Sequence, residues 1–316
     1  MALQTSGAIS LNDIHVEAGG SSGSQATIND TDIRGLISKA SGAQMSFSEW
    51  YGASASQSFT ISSNQTNLNL ASWLSSNGWD GTSTAIVTIN SGVWIYSTST
   101  SNYGLEITST LNGKLQLLNY GKIIGKGGVG FANGTDSRYV SGNGENGQAA
   151  IRNTATGISI TNYSGAYIAG GGGGGGGGAI FAGGGGGGAG GATGGQSAIY
   201  GGGAGGGLNA SGSEGARRSG PDSGFGGGAG GEGGSNGGGG GGGRILPGVG
   251  GSGRNGPNGG SGGNAGGSSG SYAGGGGGWG ASGGNGSSNS GGSGGAAISS
   301  TQTYTLSNSG TIYGST

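Results

Sequence analysis

No cysteine occurs in this chain of 316 residues. That excludes a disulfide framework and any thiolate metal site. His15 is the only histidine, so a Ser-His-Asp arrangement has no credible base and a His/Cys zinc site is impossible. It lies in Ile14-His15-Val16 and reads as a partly packed surface residue. Charge is scarce too: Lys, Arg, Asp and Glu make up 7% of the chain, and the formal net charge is −1. Nucleic-acid binding needs a basic patch, and charge-driven disorder needs a large net charge. Neither is present. No apolar run reaches the roughly 18 residues of a membrane span. Met1-Ala2-Leu3-Gln4-Thr5 carries no basic segment followed by an apolar core, so no secretory signal is read. A polar, almost uncharged chain of this kind suits an extracellular surface.

The short motifs that carry chemistry are missing as well. The spacing Gly-x-Gly-x-x-Gly arises many times from composition alone. Gly121–Gly128 has a Gly-Lys step but lacks the glycine spacing and the following Ser/Thr of a phosphate loop. Asp30-Thr31-Asp32 reads as a helix cap and not a calcium loop. Lys114, Lys122, Lys126, Arg138 and Arg152 form a mild basic group, read as a solvated face. We therefore expect no enzyme activity, no cofactor and no metal.

What the chain does have is glycine, 93 residues of it. The longest run is Gly170–Gly178, and about half of the positions in 170–295 are glycine. Ordering each residue costs roughly 1–2 kcal/mol, and glycine loses the most backbone freedom. Side-chain burial cannot offset that. A flexible linker is one outcome. Collagen is excluded, because there is no Gly-X-Y period and only three prolines exist. The remaining outcome is a bundle of extended, three-residue-per-turn glycine helices. Without side chains such helices approach closely and bond through main-chain groups that would otherwise be buried unpaired. Bulky residues separate the runs: Ile180 and Phe181, Ile199 and Tyr200, Leu208, Phe225, Arg244-Ile245-Leu246-Pro247, Tyr272 and Trp279. A linker has no use for them, whereas a bundle needs them on its ends and faces. The bundle is the reading adopted, with an even number of helices.

Residues 1–55 hold a degenerate repeat. Ser6–Ile14, Gln25–Ile33 and Ser41–Trp50 each pair a short apolar stretch with Ser, Asn or Asp, the residues that cap a helical turn. Three small strand-then-helix-turn units are expected, packing on one another or on a partner. The pattern resembles the N-terminal segment of many tailed-phage virion proteins. That resemblance implies docking on other phage tail proteins.

Residues 56–168 alternate as strands do. Gln57–Ile61 and Thr66–Leu70 read as strands, with a short helix from Leu70 to near Gly78. The form apolar-x-apolar-x-Asn-x-(x)-Gly then recurs in Ala85–Tyr96, Leu115–Gly125, Ile158–Ile168 and Tyr304–Gly314. Asn and Gly tolerate the positive φ of a bend, and recurrence implies stacked β layers as in a β-helix. The last copy follows the glycine block, so both ends of the block belong to one β body. The expected fold is mainly β plus irregular. A docking segment spans 1–55, a β-helix-like body spans 56–168 and is completed by 297–316, and a polyglycine II helix bundle spans 169–296.

Asn-Tyr-Gly-Lys-Ile-Ile-Gly-Lys-Gly-Gly from Asn119, together with the long glycine runs, resembles the glycine-rich receptor-binding adhesins at the tail-fibre tips of T4-like phages. In that family a sandwich of glycine helices displays variable loops to a bacterial surface receptor. The resemblance implies a virion tail adhesin whose partner is a host outer-surface protein or glycan. Candidate contact residues are Ile180, Phe181, Arg217, Arg218, Arg244, Ile245, Leu246, Tyr272 and Trp279. Arg217 and Arg218 sit in the longest loop, 208–223, and read as exposed. For Phe181, Ile245 and Trp279, capping the bundle and meeting a receptor are equally open. Two other functions fit parts of the pattern: a purely structural tail component, and an ice-binding protein. The latter needs regular Thr or Ala rows that are absent. Whether three copies assemble as a homotrimer is left open.

Overall fold

The computed structural model describes residues 3–53, 55–81, 83–130, 142–177, 190, 274–286 and 289–316. Among the described residues, fourteen short strands build a stack of parallel rungs. The first rung is β1 (Ser56–Ile61), β2 (Gln65–Thr66) and β3 (Leu68–Asn69). The second is β4 (Thr84–Ile89), β5 (Trp94–Tyr96) and β6 (Leu105–Ile107), and the third β7 (Leu115–Asn119), β8 (Lys122–Ile124) and β9 (Ile151–Asn153). The fourth is β10 (Ile158–Asn162), β11 (Tyr167–Ala169) and β12 (Ile298–Ser300), and the fifth holds β13 (Tyr304–Asn308) and β14 (Thr311–Tyr313). Every pairing is parallel and joins equivalent strands of successive rungs, giving three sheets: β1-β4-β7-β10-β13, β14-β11-β8-β5-β2 and β12-β9-β6-β3. This is a three-faced parallel β-helix.

Columns of equivalent side chains fill its interior. Phe59, Val87, Leu117, Ile160 and Leu306 stack on the first face. Ile95, Ile123, Ile168 and Ile312 stack on the second, and Leu68, Leu105, Ile151 and Ile298 on the third. Each fully buried Ile or Leu contributes roughly 1.5–3 kcal/mol. The helix α3 (Leu70–Ser76), capped by the Asn69 side chain on Ser72 N, adds Leu70 and Leu74 to the same core.

At the corner between the first and second faces runs the column Ile61, Ile89, Asn119, Asn162 and Asn308. Asn119 Nδ2 donates to Asn162 Oδ1, and Asn162 Nδ2 donates to Asn308 Oδ1, both at 2.8 Å. Asn119 Oδ1 accepts from Gly121 N at 3.1 Å. The Asn of the repeat thus forms a ladder, buried at Asn119 and Asn162 and exposed at Asn308, that satisfies the turning backbone. Asn90 is not part of it: Ile89 stands opposite Asn119, so in the second rung the Asn lies one residue past the column.

Two sequence expectations need correction. Thr66–Leu70 is not one strand. Asn67 adopts φ 48° and turns the corner between β2 and β3. Its amide is used on both sides, donating to Thr98 Oγ1 and accepting from Thr98 N. In the N-terminal region the three repeats form α1 (Leu11–Glu17), α2 (Thr31–Gly35) and a 3-10 turn at Phe47–Trp50, but no strands form among the described residues 3–53. The stretches before each turn have no strand partner. They are fixed instead by Ser/Thr-x-x-acid boxes: Asp13 Oδ2 accepts from Ser10 N, Asp30 Oδ2 from Thr27 N, and Glu49 Oε2 from Ser46 N. Leu3, Ile14, Ile33 and Trp50 form their own core, and Trp50 Nε1 donates to Ile33 O. Buried Arg34 ties the second loop down through Asn29 Oδ1, Ala40 O and Ala43 O.

Candidate functional site

The glycine segments leave the β-helix at one corner, between its second and third faces. In the third rung the excursion lies between Ile124 and Ile151. In the fourth it lies between Ala169 and Ile298. Their first hydrogen bonds continue the β ladders, with Gly125 N donating to Ala169 O, Gly170 N to Tyr313 O and Ala150 N to Ala296 O.

Segment 170–177 is the centre of the bundle. Gly171, Gly174 and Gly177 donate to Gln148, Glu145 and Gly142. Gly170, Gly173 and Gly176 donate to Tyr313, Ala281 and Gly284. The carbonyls of Gly176, Gly173 and Gly170 accept from Gly274, Gly277 and Gly280. Those of Gly174 and Gly171 accept from Gly292 and Gly295, and that of Gly172 from Gly128. All these bonds measure 2.8–3.0 Å. The partners change with a period of three, as a threefold extended helix requires. Five neighbouring segments surround one strand that has no room for side chains. A Cβ on Gly170, Gly173 or Gly174 would lie 1.9–2.0 Å from the carbonyl oxygen of Gly295, Gly292 or Val129.

The sandwich is wider than the sequence implied, because 125–130 and 142–148 belong to it. On 142–148 only one position in three faces inward, whereas on 125–130 two in three are buried. Gly125, Gly128, Gly144 and Gly147 are therefore obligatory, while Lys126, Val129, Asn143 and Asn146 occupy the remaining positions. The outward Asn residues serve the frame: Asn143 Oδ1 accepts from Ser290 N, and Asn146 Oδ1 from Ser293 N. Beside them, Thr100, Asn143–Asn146 and Ser290–Gly292 line a polar groove of about 510 Å³.

Trp279 is the one candidate contact residue among those described, and it is 1% exposed. The turn 278–281 folds back on the outer face of the second sheet, where Trp279 packs with Trp94, Ile124 and Ala169. Tyr167 and Tyr313 meet its ring edge-on at 6.3 and 5.7 Å. Burial there raises the Tyr313 phenol above its ordinary value, with Tyr167 adding a smaller push. Lys122 Nζ sits 4.4 Å from the Trp94 ring centre. Trp279 is thus buried between the sandwich and the β body. The other candidates, Ile180, Phe181, Arg217, Arg218, Arg244, Ile245, Leu246 and Tyr272, lie outside the described residues, as does Arg138. The remaining basic residues do not converge. Lys122 stands on the second face, Arg152 on the third, and Lys114 Nζ donates to Gly81 O.

Several described segments end close together. Gly177 N bonds Gly142 O, Gly274 N bonds Gly176 O, and the turn closed by Gly286 N on Asn289 O lies beside Gly177. Gly130 lies lower, against Gly174. The described segments thus end at 142, 177 and 274 at the end remote from the β-helix, while Gly190 lies at the near end, accepting from Gly127 N.

A parallel β-helix that carries a glycine sandwich, with described segments ending at its remote end, suits a display scaffold. Comparison with known proteins supplies the class. The family model described as phage tail fibre adhesin Gp38 matches residues 56–237, more than half of the chain. The chain belongs to the phage tail fibre adhesin Gp38 family. It is a component of the virion tail, and its role is attachment to the bacterial host. Among solved structures, the gp37–gp38 adhesin tip complex of the bacteriophage S16 long tail fibre is similar at 20% identity, covering 96% of each chain with a TM-score of 0.49. No curated protein matches.

Proposed function

We propose that this adhesin binds a surface protein or glycan of its host through side chains carried at the remote end of the glycine sandwich, and docks on another tail protein through residues 1–55. The observation that carries the first part is that the described segments end at 142, 177 and 274 on the remote end of a hydrogen-bonded frame. Loops on a rigid support vary without disturbing it, and aromatic and Arg residues on such supports make hot spots. Ile180, Phe181, Arg217, Arg218, Arg244, Ile245, Leu246 and Tyr272 are the residues proposed to make contact. The second part is supported by the independent core of 3–53 and by the exposure there of Val16, Phe47 and Tyr51, large apolar side chains that a partner would cover. The proposed role is adhesion without a catalytic step.

The test exchanges 179–182, 208–223 and 244–247 for those of a relative with another host. Purified protein should lose binding to the original cells and keep its melting temperature. Equal binding by the exchanged protein would refute the tip reading. Deletion of 1–55 should leave cell binding intact and abolish incorporation into virions.

A further inference from the structure

We propose a second binding site, for a neutral saccharide, on the flank of the β-helix and away from the tip. Asn67, Ser101, Asn102, Tyr103, Glu106 and Arg152 line a cleft of about 160 Å³ on the third face. Glu106 and Arg152 are register partners on neighbouring strands, whose backbones run about 4.8 Å apart. They do not form an ion pair with each other. Each is held elsewhere. The guanidinium lies 5.3 Å from the centre of the Tyr103 ring, and Glu106 Oε2 accepts from Asn69 Nδ2 at 3.2 Å. A carboxylate acceptor and a guanidinium donor thus stand side by side, prepositioned and open to solvent.

That pairing selects a ligand class. An anion would meet the Glu106 carboxylate, and a cation would meet Arg152. A vicinal diol both donates and accepts, so it satisfies both groups at once. The site also has room to extend. Thr100 lines the 510 Å³ groove and Ser101 lines the small cleft, so both recesses flank one loop. A sugar in the cleft can continue as an oligosaccharide towards Asn143 and Asn146. The flank would hold a glycan of the cell surface independently of whatever the tip binds.

The full-length protein is titrated with methyl glycosides of glucose, galactose, mannose, heptose and N-acetylglucosamine, followed by NMR of the Arg152 and Tyr103 signals. At least one should bind saturably, with a Kd on the order of 1 mM, as expected for so small a ligand. E106Q keeps the contact to Asn69 and removes the charge, and R152Q removes the guanidinium. Each should weaken binding by about tenfold or more, since bonds to charged groups are lost, with the melting temperature unchanged. The protein with exchanged tip loops should bind the glycoside normally, which separates this site from the tip. The proposal is overturned if no glycoside perturbs Arg152 and Tyr103 at ten times that concentration. It is equally overturned if R152Q binds as well as the parent, or if inorganic phosphate occupies the cleft more tightly than any sugar.

Discussion

Replacing Gly173 with alanine decides whether main-chain contacts hold the sandwich together. The added Cβ would lie 1.9 Å from Gly292 O, 2.5 Å from its carbonyl carbon and 2.9 Å from Gly283 N. Real Cβ atoms essentially never come within 3.0 Å of such atoms, and backbone cannot swing aside as a side chain can. Segment 289–295 must therefore move outward by about an ångström. That breaks or stretches the bonds from Gly283 N to Gly292 O and from Gly292 N to Gly174 O, with Gly173 N to Ala281 O beside them. Two or three hydrogen bonds at roughly 1 kcal/mol net each, with overpacking of about 1–3 kcal/mol, give a loss of about 3–6 kcal/mol. In an unordered linker the same change has the opposite sign. Alanine restricts the free chain, so G173A would be neutral or mildly favourable, by up to about 1 kcal/mol. Calorimetry and amide exchange of 170–177 and 289–295 read the difference. Ser293→Ala, at an exposed position, is the control and should stay within about 0.5 kcal/mol. Unchanged melting and unchanged exchange in G173A would refute the account of the scaffold.

Three further changes test the body that carries it. Asn162→Ala takes the side-chain partner from buried Asn119 Nδ2, so chemical denaturation should show a loss of about 1–3 kcal/mol. Trp279→Ala should cost about 3–5 kcal/mol and unpack the sandwich from Tyr167 and Tyr313, seen as loss of near-ultraviolet dichroism. Trp279→Phe should cost much less, because Trp279 Nε1 has no hydrogen-bond partner to lose. The carboxyls of Asp13, Asp30 and Glu49 are all lowered, by the hydrogen bonds from Ser10, from Thr27, and from Lys39 and then Ser46. Depressed folded-state values mean stabilisation is complete above the ordinary carboxyl range and fades as pH falls through the folded values. Residues 3–53 should therefore loosen from about pH 4 downward, read by Trp50 fluorescence, and D13N/D30N/E49Q should flatten that dependence.

The β-helix was legible because its repeat is written in side chains. Apolar alternation marks Leu117, Ile160 and Leu306 as one column, and the Asn beside a Gly marks the corner. The corner of the first rung was not legible: Asn67 carries no following Gly, and only its φ and its bonds to Thr98 reveal the turn. The extent of the sandwich was hidden for a different reason. A central segment needs glycine on every face, so Gly170–Gly178 stands out. An outer segment needs it on one face only, so Gly144-Glu145-Asn146-Gly147 reads as ordinary loop. Arg152 read as a solvated charge, since neither its register with Glu106 nor its placement over Tyr103 can be inferred from spacing.

The position of the sandwich follows from what a glycine helix lacks. It has no internal hydrogen bonds and no side chains, so nothing fixes its register except a neighbour. Here the first neighbours are supplied ready-made. Ile124 pairs with Ala169 and Ala169 with Tyr313 as members of β8, β11 and β14. The next bonds, Gly125 N to Ala169 O and Gly170 N to Tyr313 O, extend the same ladders past the ends of the strands. Successive rungs thus deliver their chains side by side, already at hydrogen-bonding distance and in register. The loop-closure and nucleation costs of the bundle are met by the β-helix before any glycine pairs with glycine. Both excursions must therefore leave from the same corner of adjacent rungs, and two that left from different corners could not share a lattice.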